Sequence, residues 1–92
     1  MAIALYFNPP AGMTSEQYEG ILRDLEAAGQ GSPDGRTYHA CFGEPGQLQV
    51  FDVWDSMEQF ERFGETLMPL IEKHGLGGTE PMIAEVRNVI TG

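Results

Sequence analysis

Basic residues and cysteine are both scarce in this chain of 92 residues. Only 5 Lys and Arg stand against 14 Asp and Glu, so the formal net charge is −9 at pH 7. Phosphate backbones and anionic lipid headgroups repel a chain this acidic, which argues against nucleic acid and membrane surfaces as partners. The lone Cys41 has no second cysteine with which to form an internal disulfide. A reducing cytoplasm is therefore the expected location.

Long apolar runs are also lacking. No stretch approaches the roughly 20 apolar residues of a membrane-spanning helix. The first residues have no basic region and soon reach Asn8-Pro9-Pro10, so they do not resemble a secretory signal. With 41% hydrophobic and 21% charged residues, the composition is that of an ordinary globular protein. The length suits one compact unit, and we predict a single domain over residues 1–92.

Apolar runs, helical periodicity and turn residues divide the chain into six elements. The four predicted strands cover residues 3–7, 37–42, 48–54 and 82–90. One helix follows the first strand and a second helix follows the third, which gives the order β-α-β-β-α-β. This is the order of ferredoxin-like α+β folds, in which a four-stranded antiparallel sheet carries both helices on one face.

Both predicted helices have recognisable starts. Thr14 and Gln17 have the spacing of a capping box, and Gly29 is typical of the residue that ends a helix. The second helix begins at Asp55 or Ser56, since either side chain can cap it. The sequence leaves this choice open.

The hairpin between the second and third strands decides which side chains share a face. With an even-numbered loop at residues 44–47, His39 lies opposite Asp52. Their face also carries Thr37, Cys41, Leu48, Val50 and Trp54. The other face is more apolar and holds Tyr38, Ala40, Phe42, Gln49, Phe51 and Val53. We therefore predict that the helices cover this second face. The His39 face would then point away from them, where a second copy of the chain closes it into a partly wet cavity.

The stretch DVWDSMEQFERFGETLMPL, residues 52–70, resembles the dimeric α+β barrel superfamily, in particular the antibiotic-biosynthesis-monooxygenase-like proteins. The order of elements matches over essentially the whole chain. The resemblance implies a homodimer whose two sheets face one another, with a small-molecule pocket between each sheet and its helices or at the dimer seam. Members include cofactor-independent oxygenases of aromatic polyketides, haem degraders, isomerases and many small bacterial proteins of unknown activity.

The residues of the haem-degrading members match this chain only in part. Asn8 lies where those members carry an asparagine at the end of the first strand. Their tryptophan position on the second helix holds Phe63 here. Their histidine position holds Lys73, with His74 one residue out of register. The resemblance therefore does not extend to haem degradation.

His39 and Asp52 are the candidate catalytic residues. A carboxylate that accepts from one imidazole nitrogen fixes the tautomer and leaves the other nitrogen as a general base or donor. Trp54 would supply a flat apolar wall for a planar ligand. The other candidate ligand-binding residues are Tyr6, Asn8 and Cys41. A metal site on Cys41 and the His39–Asp52 pair is a weaker alternative, because no fourth ligand accompanies them.

We expect a homodimer that binds a small hydrophobic or aromatic molecule with no bound cofactor or metal. Two functions stay open. In one, the chain is a cofactor-independent monooxygenase or isomerase in which His39 is the base and Asp52 orients it. In the other, it is a non-catalytic ligand-binding or accessory dimer in which the pair is structural. An enclosed cavity of roughly 300 Å³ or more that receives the free nitrogen of His39 would favour catalysis.

Overall fold

Six elements follow one another in the predicted order in a computed structural model that describes all residues, 1–92. They are β1 (Ile3–Phe7), α1 (Ser15–Ala27), β2 (Arg36–Phe42), β3 (Gln49–Trp54), α2 (Met57–Lys73) and β4 (Met82–Glu85). The strands form one sheet in the order β2-β3-β1-β4, and every neighbouring pair is antiparallel. This arrangement confirms the predicted ferredoxin-like α+β fold.

The last strand is shorter than predicted. β4 ends at Glu85 rather than at residue 90, because its only partner in the sheet is β1. The register pairs Glu85 with Ile3, the first residue of β1. One further bond runs from the Val86 amide to the Ala2 carbonyl at 2.9 Å. Beyond it the first strand offers no more residues to pair, so the alternation after residue 85 does not become sheet.

Side chains close the first turn of both helices. The Thr14 hydroxyl accepts from the Gln17 amide at 3.1 Å, and the Gln17 side chain accepts from the Thr14 amide at 2.9 Å, which confirms the capping box. For α2 the cap is Ser56 and not Asp55. Its hydroxyl accepts from the Gln59 amide at 3.2 Å. The structure thus decides the choice that the sequence left open.

Glycine in the left-handed conformation ends both helices. Gly29 has φ of 77° and Gly75 has φ of 80°, a region that side chains disfavour. After Gly75, the Leu76 amide donates to the Ile71 carbonyl at 2.9 Å, as in a Schellman motif. This turn directs Leu76 into the core, where it is buried beside the end of α2.

The helices cover the face of the sheet that we predicted to be open. The buried strand side chains are Ile3, Leu5, Phe7, Val50, Asp52 and Trp54. Their main helical partners are Ile21, Leu25, Phe60, Phe63, Leu67 and Ile71. The predicted register is right, since His39 pairs with Asp52 and Cys41 with Val50. The predicted direction of that face is wrong, because His39 and Asp52 line a space beneath the helices.

The reason for this difference is the first strand. β1 pairs with β3 and places Ile3, Leu5 and Phe7 beside Trp54, Asp52 and Val50. Three large apolar side chains on one side of a central strand outweigh the modest difference between the two faces of the β2–β3 hairpin. The helices therefore bury the face that β1 makes apolar.

The opposite side of the sheet, which we call the open face, is uncovered in one chain. It carries Tyr6, Tyr38, Phe42, Phe51, Val53 and Met82 among its large side chains. Tyr38 is 56% exposed, Phe42 44% and Met82 70%. Contiguous apolar surface of this kind usually marks a contact site. Neither helix has the length and apolar character needed to cross a bilayer.

Candidate functional site

A cavity of about 70 Å³ lies between the sheet and the two helices. Most of its lining is apolar and comes from α1, α2, β1 and β3. The polar residues in its lining are Tyr18, Arg36, His39, Asp52 and Thr79. Apolar walls with a few converging polar groups are typical of small-molecule sites. The volume is well below the roughly 300 Å³ at which such sites usually begin.

Asp52 is the buried end of a hydrogen-bonded chain. It lies on the central strand β3 and is 3% exposed. Its Oδ1 accepts from His39 Nδ1 at 2.6 Å and its Oδ2 accepts from Trp54 Nε1 at 3.2 Å. Both carboxylate oxygens therefore have a donor, as a buried charge requires.

Tyr18 stands at the other end of this chain. Its hydroxyl lies 2.7 Å from His39 Nε2, and the two rings are parallel within 5° at a centroid distance of 6.0 Å. A carboxylate only accepts, so His39 carries its proton on Nδ1, toward Asp52. In the neutral form of the imidazole, Nε2 is then the acceptor and the Tyr18 hydroxyl donates to it. The three side chains form the relay Tyr18–His39–Asp52.

The environment keeps the Tyr18 hydroxyl protonated. Burial raises the pKa of Tyr18 above its usual 10.0, and the nearby Cys41 and Asp52 add to this, while Arg36 acts in the opposite direction. Phenols are charged when deprotonated, and a half-buried phenolate loses hydration. Tyr18 therefore remains a hydrogen-bond donor to His39 at neutral pH.

Tyr18 is a candidate site residue that the sequence reasoning missed. Tyr18 recurs at helical spacing with Ile21 and Leu25, so the sequence pattern alone assigns it to the apolar stripe of the first helix. A signal was present, since a tyrosine on a core-facing stripe needs a partner for its hydroxyl once it is buried. The partner could not be identified from the sequence, because α1 packs against β2 only once the whole chain has folded.

The structure brings together the two candidate catalytic residues and places Trp54 behind them. Trp54 is fully buried. It packs against Phe60 and Phe63 at centroid distances of 5.6 and 5.1 Å, and it does not line the cavity. Its indole N–H fixes the Asp52 carboxylate from the core side.

Tyr6 is separated from the other candidate site residues. It lies next to Leu5 on β1 and therefore points to the open face, away from His39 and Asp52. There its hydroxyl donates to the Gln49 side chain, and its ring stacks with Phe42 at 6.3 Å. Tyr6 thus belongs to the uncovered apolar surface and not to the cavity.

Asn8 and Cys41 also lie outside the cavity lining. Asn8 is exposed after the end of β1, and Pro9 reaches the cavity instead. Cys41 shares the face of His39 but packs against the core, and burial raises the pKa of its thiol. No group of three or more His, Cys, Asp or Glu side chains has an arrangement that could hold a metal ion.

A β-bulge at the start of β2 departs from the strict alternation that placed Thr37 on the face of His39. Arg36, and not Thr37, lies opposite Trp54, while Tyr38 pairs with Val53. The extra residue shifts Arg36 onto the face of His39, and its side chain lines the cavity. Strict alternation, which we used for the hairpin, cannot reveal an inserted residue.

The comparisons with known proteins identify the fold. No protein-family model matches the chain, and no curated protein matches its sequence. Among solved structures, a proposed antibiotic biosynthesis monooxygenase from Chloroflexus aurantiacus has a TM-score of 0.66 at 13% identity, covering 99% of this chain and 98% of that one. SnoaB, a cofactor-independent oxygenase from Streptomyces nogalater, has a TM-score of 0.61 at 18% identity, covering 99% and 96%.

A hydroxynitrile lyase from Passiflora edulis is also similar, with a TM-score of 0.58 at 10% identity, covering 98% of this chain and 96% of that one. These likenesses extend over nearly the whole chain. They confirm the predicted resemblance to antibiotic-biosynthesis-monooxygenase-like α+β barrel proteins at the level of the fold. The fold itself carries more than one chemistry, so function has to be argued from the site.

Proposed function

For a chain with the fold of the antibiotic-biosynthesis-monooxygenase-like proteins, we propose a homodimer that binds a small hydrophobic or aromatic molecule and removes a proton from it. The binding site is the cavity beneath α1 and α2, and His39 is the base. The relay Tyr18–His39–Asp52 in the wall of this cavity carries the proposal.

The hydrogen bonds of the relay run in the direction that a general base needs. Asp52 holds the Nδ1 proton of His39, so the imidazole lone pair is on Nε2, where it accepts from the Tyr18 hydroxyl. When Nε2 takes a proton, the buried carboxylate stabilises the resulting imidazolium across 2.6 Å. Because Tyr18 both lines the cavity and donates to Nε2, it can pass a proton from the bound molecule to His39.

Two reaction classes begin with this step. An electron-rich aromatic that loses a proton from an activated carbon becomes a carbanion that can react with dioxygen directly. The hydroperoxide so formed loses water to leave a carbonyl, so one oxygen atom enters the product, the other leaves as water, and the substrate is the only reductant; this is cofactor-independent monooxygenation. Reprotonation of the same anion at another carbon is isomerisation. SnoaB, described as a cofactor-independent oxygenase, supports the first class through its similar fold.

The cavity volume favours a second candidate function. About 70 Å³ accommodates roughly five water-sized groups, far less than a polycyclic aromatic substrate needs. A non-catalytic ligand-binding or accessory dimer needs no larger space. In that case the His39–Asp52 pair stabilises the fold and does no chemistry.

Self-association is proposed through the open face. Tyr38, Phe42 and Met82 expose large apolar side chains on it, and the helices lie on the other side of the sheet. A second sheet packed against this face would remove that surface from water. The cavity then lies within each subunit rather than between the two.

The experiment compares wild type with His39→Ala, using phenol and hydroquinone as probes. Binding is followed by NMR shifts of cavity residues, and turnover by oxygen uptake with hydroquinone. For an enzyme, His39→Ala should keep probe binding but lose about 100-fold or more in rate. Binding without wild-type acceleration of oxygen uptake would support the accessory function. Absence of any probe binding would contradict the cavity as a ligand site.

A further inference from the structure

We propose that the molecule bound in the cavity carries a carboxylate and that Arg36 binds it. This inference rests on the proposed function of the cavity as a small-molecule site. It adds the chemical class of the ligand: a small acid with a short apolar chain or ring.

The bulge at the start of β2 gives Arg36 its position. Without the extra residue, Arg36 would share the face of Tyr38, which is the open face. With it, Arg36 pairs with Trp54 and enters the lining of the cavity together with His39. Bulges often redirect a side chain beside a functional site.

The Arg36 guanidinium is held in place but has donors to spare. Its centre lies 5.9 Å from the centroid of the Phe63 ring, a cation–π contact. Nη2 donates to the Gly31 carbonyl at 3.3 Å, which uses one of five N–H donors. The planar fork of a guanidinium matches two carboxylate oxygens, so the remaining donors suit an acidic ligand.

The nearby protein carboxylate does not occupy these donors. Asp52 also lines the cavity, but its two oxygens accept from His39 and Trp54. The ion pairs made by other basic side chains lie elsewhere, between Arg62 and Glu58 and between Lys73 and Asp24. Arg36 therefore lines the cavity without forming any ion pair, in a chain whose net charge is −9.

Arg36 and the relay Tyr18–His39–Asp52 line the same cavity. No other Lys or Arg lines the cavity, and Arg36 opposes the rise in the pKa of Tyr18 that burial causes. Its field therefore reaches the Tyr18 hydroxyl. A carboxylate bound at Arg36 would place the rest of a ligand beside Tyr18 and His39. A volume of about 70 Å³ suits an acid of about six non-hydrogen atoms.

The test uses two matched pairs of probes that differ in charge: butyrate with butyramide, and propionate with propionamide. Binding is measured by NMR titration of wild type, Arg36→Met and Arg62→Met. Arg62 is the control because it is an exposed arginine on α2 paired with Glu58. In wild type and in Arg62→Met, each carboxylate should bind about tenfold more tightly than its amide. In Arg36→Met this preference should vanish while the amide affinity is kept.

Arg36→Lys provides a second variant should Arg36→Met fail to fold. It keeps the charge but not the fork, so an intermediate carboxylate preference is expected. Equal binding of acid and amide to wild type would overturn the inference, as would a preference of wild-type size that survives in Arg36→Met or Arg36→Lys. Both results leave the cavity as a ligand site. If none of the four probes shifts cavity residues, the proposed function fails and the inference fails with it.

Discussion

Replacing Asp52 by Asn removes one acceptor from the buried end of the relay Tyr18–His39–Asp52. The carboxylate now accepts from both His39 and Trp54. An amide has one oxygen, so only one of the two N–H groups can keep an acceptor. Trp54 is fully buried and cannot turn to water, whereas the His39 side chain is 23% exposed. We therefore expect the amide oxygen to stay with Trp54.

The consequence falls on His39. The Asn amide N–H₂ would face Nδ1, and the imidazole would move its proton to Nε2 to avoid two opposed donors. Its hydrogen bond with Tyr18 would then reverse, with Nε2 donating to the hydroxyl. The loss of a charge-assisted bond in a buried site should lower the free energy of unfolding by about 1–3 kcal/mol. Proton abstraction would stop, because Nε2 would already carry a proton and could not take one from Tyr18.

Two measurements check the Asp52→Asn prediction. The ¹⁵N shifts of the imidazoles report the tautomer, and the chain has 2 histidines, so His74 is an internal reference. Urea denaturation gives the change in stability. Asp55→Asn is the matched control, because Asp55 is an exposed acid and its variant should stay within about 0.5 kcal/mol of wild type. Unchanged stability together with an unchanged His39 tautomer would refute the relay as described.

Three further predictions concern other parts of the molecule. Wild type should lose stability as the pH rises above about 10, and Tyr18→Phe should abolish this loss. Because the pKa of Tyr18 is raised in the folded state, the contribution of Tyr18 to the free energy of unfolding is complete below 10.0 and falls above it. Alkaline denaturation of the two proteins measures the difference. Gly20→Ala should lack the usual gain of about 1 kcal/mol in a helix, because a Cβ there would lie 2.6 Å from the His74 ring. In a His74→Ala background the gain should return; an equal gain in both backgrounds would contradict the contact. Phe42→Glu should yield monomers in sedimentation while the fold is kept, and a persistent dimer would exclude the open face as the interface.

Local signals in the sequence were sufficient to predict the order of helices and strands and the pairing of the β2–β3 hairpin. Thr14, with Gln17 behind it, starts α1 through contacts within one helical turn. The His39–Asp52 pair follows from the loop length alone, because a hairpin fixes its own register. The resemblance seen in residues 52–70 also led to the right fold, because the order of helices and strands can be predicted from local sequence patterns.

Contacts between distant segments decided the rest. The helices cover the His39 face because β1 pairs with β3 and adds its apolar side chains there, a pairing between residues about 50 positions apart. Tyr18 meets His39, and β4 ends opposite the first residue of β1, for the same kind of reason. Arg36 reaches the cavity only through a bulge. The sequence by itself determined which groups exist and how neighbours pair. The tertiary structure determined which of them share a cavity, because burial is settled by the whole sheet and not by one hairpin.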